Sequence, residues 1–186
     1  MLLSSFYFLI NNEKEIYMKN TKVINLFSGP GCGKSVLMAR LFAELKILGY
    51  DVEMAPEFAK EKVWEGSLEV LSDQIYVFGK QLHRINRLLG KVDFIICDSP
   101  LLLSAIYDTT EDPVFKELIV HVINKMDNKN YFIKRDTTYN PIGRIQTEKE
   151  AIEIDNRILE LLKETGMEFR EINKDNALNE ILKDNE

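Results

Sequence analysis

The order of apolar and polar positions along the chain predicts alternating strands and helices. Short, nearly continuous apolar runs are typical of buried parallel strands, and apolar residues at three- and four-residue steps are typical of helices packed on a core. The predicted strands are 23–27, 51–54, 92–98, 131–133 and 167–172. The predicted helices are 36–48, 57–64, 67–89, 113–126 and 147–165, with a short terminal helix from 175. The sequence has no repeat and no composition break, so we predict one α/β domain with a mainly parallel five-stranded sheet flanked by helices.

A glycine-rich loop joins the first strand to the first helix. Residues 28–35 read Ser-Gly-Pro-Gly-Cys-Gly-Lys-Ser, and a strand–loop–helix context of this kind predicts a phosphate-binding P-loop. Ser28 stands where the usual motif has its first glycine, and a small residue suits that tight turn. Lys34 is expected to contact the β- and γ-phosphates of ATP, and the Ser35 hydroxyl is expected to bind Mg²⁺. The predicted nucleotide-binding residues are Gly29, Pro30, Gly31, Cys32, Gly33, Lys34, Ser35 and Val36.

Two carboxylates follow predicted strands. Ligands of parallel sheets bind at the carboxyl ends of the strands, so Glu57 and Asp98 are expected to lie near the loop. Asp98 is suited to hold Mg²⁺ or to take the acceptor proton, and the alternative is a residue that caps the turn at 99–100. Glu57 is suited to orient or deprotonate an acceptor hydroxyl, and the alternative is an acid stabilised at a helix N-terminus. The sequence leaves open which carboxylate is the base.

The segment 134–147 has no periodicity and carries Arg135 and Arg144. A lid that closes over phosphates would use such a loop to deliver guanidinium groups, and the alternative is a solvated basic loop. Trp64, Gln81 and Arg84 are candidates for an acceptor site, as a stacking ring, an amide for a base edge and a phosphate-binding cation. The spacing of His and Cys residues fits no metal cluster, so the only metal we expect is Mg²⁺.

Composition narrows the class of protein. The 186 residues contain 24 Lys and Arg against 30 Asp and Glu, a net charge of −6, which argues against a general nucleic-acid coat. Two cysteines suit a reducing cytosol, so we expect a cytoplasmic protein. The apolar start is too short to span a membrane. We expect residues 1–18 to be a flexible or non-native extension, with Met18 as a natural start, and residues 19–186 to be the domain.

Three stretches carry a resemblance to a known family. They are the P-loop with Glu57-Phe58-Ala59-Lys60, the run Asp98-Ser99-Pro100-Leu101-Leu102-Leu103-Ser104, and Tyr139-Asn140-Pro141-Ile142-Gly143-Arg144. Over about residues 19–175 the sequence resembles small P-loop kinases of tailed bacteriophages, which are similar to thymidylate kinases and include enzymes that phosphorylate 5-hydroxymethyluracil in DNA. The resemblance implies ATP at the P-loop, an acceptor near Glu57 and Asp98, and a lid carrying Arg135 and Arg144.

The predicted function is therefore ATP- and Mg²⁺-dependent phosphoryl transfer to a nucleoside-type acceptor. The leading specific acceptor is 5-hydroxymethyluracil in phage DNA, and a free deoxynucleoside or a nucleoside monophosphate is the alternative. A regulatory ATPase or nucleotide-dependent switch with a protein partner, and a nucleotide-binding module without catalysis, remain open. A homodimer is also compatible with the sequence.

Overall fold

The fold is a parallel sheet with helices on both faces. The computed structural model describes residues 19–135 and 147–185. The strands are β1 (Lys22–Phe27), β2 (Val52–Ala55), β3 (Phe94–Cys97), β4 (Asp127–Lys134) and β5 (Arg170–Asn173). The helices are α1 (Lys34–Ile47), α2 (Phe58–Glu65), α3 (Gln74–Asn86), α4 (Leu103–Tyr107), α5 (Pro113–Ile123), α6 (Glu148–Glu164) and α7 (Ala177–Asn185), with a 3₁₀ helix at Leu68–Ser72.

The sheet has the order β2-β3-β1-β4-β5, and every strand pairing is parallel. The P-loop strand β1 is central, between β3 and β4. The carboxyl ends of the strands therefore meet at one edge, where the segments after β1, β2 and β3 are neighbours. The predicted single-domain fold with a five-stranded parallel sheet is confirmed.

Two apolar clusters cover the two faces of the sheet. Val23 and Phe27 of β1 face a core shared with α3, α4, α5 and α6, whereas Ile24 and Leu26 face a core shared with α1 and α7. This alternation follows from the two-residue period of a strand, which sends successive side chains to opposite faces. Because β1 is buried on both faces, the loop that follows it starts from a fixed position.

The prediction of one long helix over 67–89 is wrong, because the helical segment is interrupted at Asp73. Residues Leu68–Ser72 form the 3₁₀ helix, and α3 starts afterwards with the Asp73 carboxylate accepting a hydrogen bond from the backbone N–H of Tyr76 (3.0 Å). Asp73 therefore acts as an N-cap that starts a new helix. The predicted apolar stripe is buried at Phe78 and Ile85, but Ile75 at the start of α3 is exposed.

Two further elements differ from the prediction. The helix α4 was not predicted, and β4 begins four residues before the predicted 131. The added part of β4 is polar, and Asn25 of β1 donates side-chain hydrogen bonds to the side chains of Asn128 and Asn130 (both 2.9 Å). These bonds explain why a polar segment continues a buried sheet, since buried polar groups need partners.

A capping box at Thr147 starts α6, at the predicted beginning of this helix. The Thr147 hydroxyl accepts from the backbone N–H of Glu150 (3.3 Å), and the Glu150 carboxylate accepts from the backbone N–H of Thr147 (2.6 Å). The predicted extension 1–18 and most of the predicted lid lie outside the described residues.

Candidate active site

The P-loop needs glycine at three positions for two different reasons. Gly31 and Gly33 have φ angles of 92° and 84°, a left-handed conformation that side chains disfavour. Gly29 is required because an added Cβ would overlap the carbonyl oxygen of Ala151 on α6. Ser28, at the position of the usual first glycine, is buried without such an overlap. The close approach that demands glycine therefore occurs one residue later than the motif suggests.

Lys34 at the start of α1 lies across this loop. Its ammonium donates to the carbonyl oxygens of Ser28 (2.7 Å) and Gly29 (3.0 Å). Burial lowers the pKa of Lys34, and the negative charges of Glu57 and Asp98 oppose that shift. The cation is thus held inside the loop, near both predicted carboxylates.

Ser35 and Asp98 join α1 to the end of β3. The Ser35 hydroxyl donates to Oδ2 of Asp98 (2.7 Å), and Asp98 is only 2% exposed. The other carboxylate oxygen, Oδ1, is buried and has no hydrogen-bond partner among the described residues. A buried oxygen without a donor beside a hydroxyl fits Mg²⁺, which prefers oxygen ligands and takes few of them from the protein when phosphates supply the rest. The described residues contain no group of three or more His, Cys, Asp or Glu suited to a metal.

Replacing Asp98 with asparagine is expected to raise the Mg²⁺ concentration for half-maximal activity about 10–100-fold, by analogy with the loss of groups that support metal sites. The amide keeps the size of the side chain and can still accept from Ser35, but it removes the negative charge. Activity titrated with Mg²⁺ at saturating ATP measures the effect. An unchanged titration would leave Asp98 as a turn-capping residue.

A cavity of 480 Å³ extends from the P-loop. At one end it is lined by loop residues together with Lys34, Ser35 and Asp98. The other end lies between α2, α3 and the segment that leads into α4. The residues lining that end are Ala59, Lys60, Val63, Trp64, Leu71, Gln74, Val77, Gln81, Ser99, Pro100, Leu103, Ser104 and Tyr107. Glu57 also lines the cavity, and its charge acts on both Lys34 and Tyr107.

The three predicted acceptor residues are placed differently. Trp64 lines the cavity and is 70% exposed. Gln81 also lines it, but its amide is occupied by the backbone: Oε1 accepts from the N–H of Phe58 and Nε2 donates to the carbonyl of Ala55 (both 3.2 Å). Arg84 donates to the Pro56 carbonyl and pairs with Glu61 outside the cavity wall (both 2.7 Å). Gln81 and Arg84 therefore hold the connection between β2 and α2, while Trp64 remains free to contact a ligand.

Arg135 lies against the P-loop. Its Nη2 donates to the carbonyl of Pro30 (2.9 Å) and its Nε donates to Asp155 of α6 (2.7 Å). Arg144 lies outside the described residues, so its predicted role stays a prediction. Cys32 in the same loop is buried, and burial raises the pKa of its thiol, which fits a small space-filling residue.

Two residues near the site, Asp155 and Tyr107, were not predicted from the sequence. Asp155 occupies a buried position on α6. Its place among the apolar residues Ala151, Ile154 and Ile158 was the one feature of the sequence that could have indicated a buried carboxylate. Tyr107 lines the end of the cavity that lies away from the P-loop, and burial raises the pKa of its phenol. Tyr107 belongs to α4, a helix that the sequence pattern did not reveal.

None of the helices in the described ranges combines the length and apolar character that crossing a membrane requires.

Solved structures that are similar to the chain include two kinases. A deoxyadenosine kinase from M. mycoides with bound dATP has 21% identity and a TM-score of 0.48, covering 87% of this chain and 98% of that chain. A shikimate kinase from Bacteroides thetaiotaomicron has 13% identity and a TM-score of 0.43, covering 82% and 86%.

No curated protein matches the chain. The model of a protein family described as an AAA domain matches residues 23–179, which include the P-loop and the five strands except for the first residue of β1. Since the match covers most of the sequence and agrees with the fold and the loop geometry, the protein belongs to the AAA domain family and is an AAA-type P-loop NTPase domain.

Proposed function

We propose that the protein is an ATP- and Mg²⁺-dependent kinase that phosphorylates a hydroxyl group of a nucleoside-type acceptor. The observation that carries the proposal is the continuous cavity that starts at the P-loop and ends in a second, largely apolar compartment between α2, α3 and α4. We call this compartment the acceptor end. Its volume of 480 Å³ lies within the range of about 300–1,000 Å³ typical of small-molecule sites. A compartment of this kind beside a phosphate-binding loop suits an organic acceptor.

The chemistry assigns a task to each residue near the loop. The acceptor oxygen forms a bond to the γ-phosphorus of ATP, the bond between that phosphorus and the β,γ-bridging oxygen breaks, and ADP leaves. The Glu57 carboxylate takes the proton of the acceptor hydroxyl, since it lines the cavity between Lys34 and the acceptor end. Lys34 supplies positive charge to the phosphates in place of the two carbonyl contacts it makes here. When bound, Mg²⁺ neutralises phosphate charge, and Ser35 and Asp98 are the residues that would hold it.

A neutral acceptor suits this compartment better than a monophosphate. Recognition of a phosphate group normally uses arginine or lysine side chains. Among the described lining residues, Lys60 is the only basic side chain besides Lys34, and it is exposed. Arg84, predicted for this role, is engaged by Glu61 and the Pro56 carbonyl. The described wall therefore favours a nucleoside over a nucleoside monophosphate.

Gln74 is the best candidate to read the edge of a nucleobase. It lines the cavity, is 7% exposed, and donates from Nε2 to the carbonyl of Leu71 (2.7 Å). That bond fixes the amide, and no described residue donates to its Oε1. A fixed amide with an open oxygen and a second N–H suits the donor and acceptor groups of a base edge.

Replacing Gln74 with leucine is expected to raise the acceptor KM about tenfold, the effect of losing roughly one hydrogen bond. The kcat should change less, because the amide is placed at the base and not at the reacting oxygen. Asn86→Leu is a matched control, since it makes the same kind of exchange at an exposed position on α3. Equal acceptor KM values for both variants would remove Gln74 from the recognition of the base.

Within this class we propose 5-hydroxymethyluracil in phage DNA as the acceptor. Its hydroxymethyl group projects from the base ring, so a base that enters the acceptor end presents a primary hydroxyl towards Glu57. Trp64 at the cavity wall is exposed enough to stack on a base or sugar. The net charge of −6 gives no general attraction to duplex DNA, so the contact would be limited to a flipped or strand-exposed base. The resemblance to phage kinases supports the same acceptor.

Three matched acceptors test this assignment: single-stranded DNA containing 5-hydroxymethyluracil, the free 5-hydroxymethyl-deoxyuridine nucleoside, and its 5′-monophosphate. We expect the highest kcat/KM with the DNA. Equal or faster transfer to the free nucleoside would assign the protein to nucleoside metabolism, the second candidate that the neutral wall favours. Preference for the monophosphate would contradict the argument from the scarcity of basic side chains.

A further inference from the structure

A buried carboxylate on α6 is joined directly to the P-loop. Asp155 is 8% exposed, and its Oδ1 accepts a hydrogen bond from the backbone N–H of Gly29. Its Oδ2 accepts from Nε of Arg135 (2.7 Å). These contacts connect residues separated by 126 and 20 positions in the chain. Asp155 therefore links the loop after β1, the residue after β4 and the middle of α6.

Arg135 extends the link to the next residue of the loop. Its Nη2 donates to the carbonyl oxygen of Pro30 (2.9 Å), while its Nε is paired with Asp155. The loop is thus held at two successive residues, at the N–H of Gly29 directly and at the carbonyl of Pro30 through the guanidinium. We call Gly29, Pro30, Arg135 and Asp155 the loop clamp.

The charge of Asp155 is important for this arrangement. The side chains of Arg135 and Asp155 are only 12% and 11% exposed, so both charges are largely removed from water. The third guanidinium nitrogen, Nη1, is buried and has no hydrogen-bond partner among the described residues. The carboxylate of Asp155 therefore balances the buried positive charge of Arg135. Removing one partner of a buried ion pair leaves the charge of the other partner without a counter-charge.

The packing around Gly29 makes the clamp specific. An added Cβ at Gly29 would overlap the carbonyl oxygen of Ala151, one turn before Asp155 on the same helix. The loop therefore rests on the backbone of α6, and the two hydrogen-bonded contacts select one orientation of the loop. The same loop carries the carbonyl groups that hold Lys34.

We propose that Asp155 is a positioning residue that sets the P-loop and Arg135 for nucleotide binding. The inference rests on the proposed function only in assuming that ATP binds the loop. Asp155 does not line the cavity, so it acts through Gly29 and Arg135 and not on the acceptor. Its loss should weaken the binding of ATP while the acceptor end, built from α2, α3 and α4, keeps its affinity.

Three variants test this role: Asp155→Ala, Asp155→Asn and the control Glu160→Gln, an exposed carboxylate on the same helix. Asparagine keeps an acceptor for the Gly29 N–H but removes the charge that faces Arg135, so it also serves if the alanine variant does not fold. The affinity for Mg²⁺·ATP is measured by calorimetry, below the unfolding temperature of each variant. Acceptor KM values are measured in parallel.

We expect the Kd for ATP to rise about tenfold or more in Asp155→Asn, with the acceptor KM within about twofold of the control; loss of a charge-assisted contact corresponds to this range. A merely structural role would lower the folded fraction but leave the Kd of the folded protein unchanged, and an unchanged Kd would overturn the proposal. If the wild-type protein binds ATP but phosphorylates no acceptor, the proposed kinase fails, while a weaker Kd in Asp155→Asn still supports the clamp. If the wild-type protein does not bind ATP, both fail.

Discussion

Replacing Glu57 with glutamine is expected to lower kcat about 10²–10⁴-fold, the usual contribution of a general base. Glutamine preserves the size and hydrogen-bonding reach of the side chain but cannot accept a proton. Glu57 lies at the N-terminal boundary of α2 and lines the cavity between the P-loop and the acceptor end. The KM for ATP should change little, because the residues that contact the nucleotide remain. Steady-state kinetics with saturating acceptor and varied ATP measure both kcat and the KM for ATP.

The control for this experiment is Glu65→Gln at the exposed end of the same helix. Its ion pair with Lys62 is on the surface, where such pairs contribute little. If Glu57→Gln has the kcat of this control, Glu57 is only an acid near a helix N-terminus, and the acceptor proton goes elsewhere. Asp98→Asn then becomes decisive, because Asp98 is the other carboxylate of the cavity near Lys34.

Replacing Lys34 with alanine is expected to lower kcat/KM for ATP by about 10²–10³-fold or more, the scale seen when a group that stabilises transition-state charge is removed. The ammonium is held within the loop by the carbonyls of Ser28 and Gly29. Lys34 belongs to neither apolar cluster, so the sheet and its two apolar cores should remain intact in the variant. Lys34→Met, which keeps most of the side-chain volume, should show the same loss.

Circular dichroism and thermal unfolding identify variants that stay folded, and the rate of ADP formation in the presence of acceptor gives the activity. A folded Lys34 variant with undiminished phosphoryl transfer would show that the P-loop is not the catalytic nucleotide site. A folded variant that still binds ATP but transfers no phosphate would place the main role of Lys34 in the transition state.

Local patterns were sufficient to predict the five-stranded parallel sheet and the glycine-rich loop at its edge. A buried strand, a glycine-rich loop and a helix follow one another around residues 28–35. Because these elements are adjacent in sequence, their order alone determines where Lys34 and Ser35 lie. Asp98 was accessible to the same reasoning, because a carboxylate that ends a buried strand lies at the edge where parallel strands bind ligands. The structure accordingly places Asp98 in contact with Ser35.

The other end of the cavity, away from the P-loop, depends on contacts that sequence patterns do not encode. Gln81 looked like a ligand-binding amide on a helix face, but the backbone of Ala55 and Phe58 occupies it. The sequence analysis did not single out Asp155, because its partners are distant in the chain: Gly29 follows β1 and Arg135 follows β4. Pairings of this kind follow from tertiary packing, so periodicity alone does not reveal them.

The break at Asp73 shows how one signal can hide another. A stripe of apolar residues over 67–89 favoured one helix, while Asp73 offered an N-cap within it. The cap was decisive, and the 3₁₀ turn before it brings Leu71 to the cavity wall. The shape of this part of the cavity therefore depends on the helix start at Asp73, which the apolar pattern over 67–89 did not indicate.

Phosphoryl transfer to an organic acceptor is tested most directly by following the γ-phosphate of labelled ATP. The protein is incubated with Mg²⁺·ATP and, in turn, with nucleosides, nucleoside monophosphates and DNA containing 5-hydroxymethyluracil, with Lys34→Ala as the blank. We predict label on a nucleoside-type acceptor, with ADP formed in equal amount and faster than without acceptor. Label released only as inorganic phosphate, at a rate that no acceptor changes, would contradict the account and favour a regulatory ATPase.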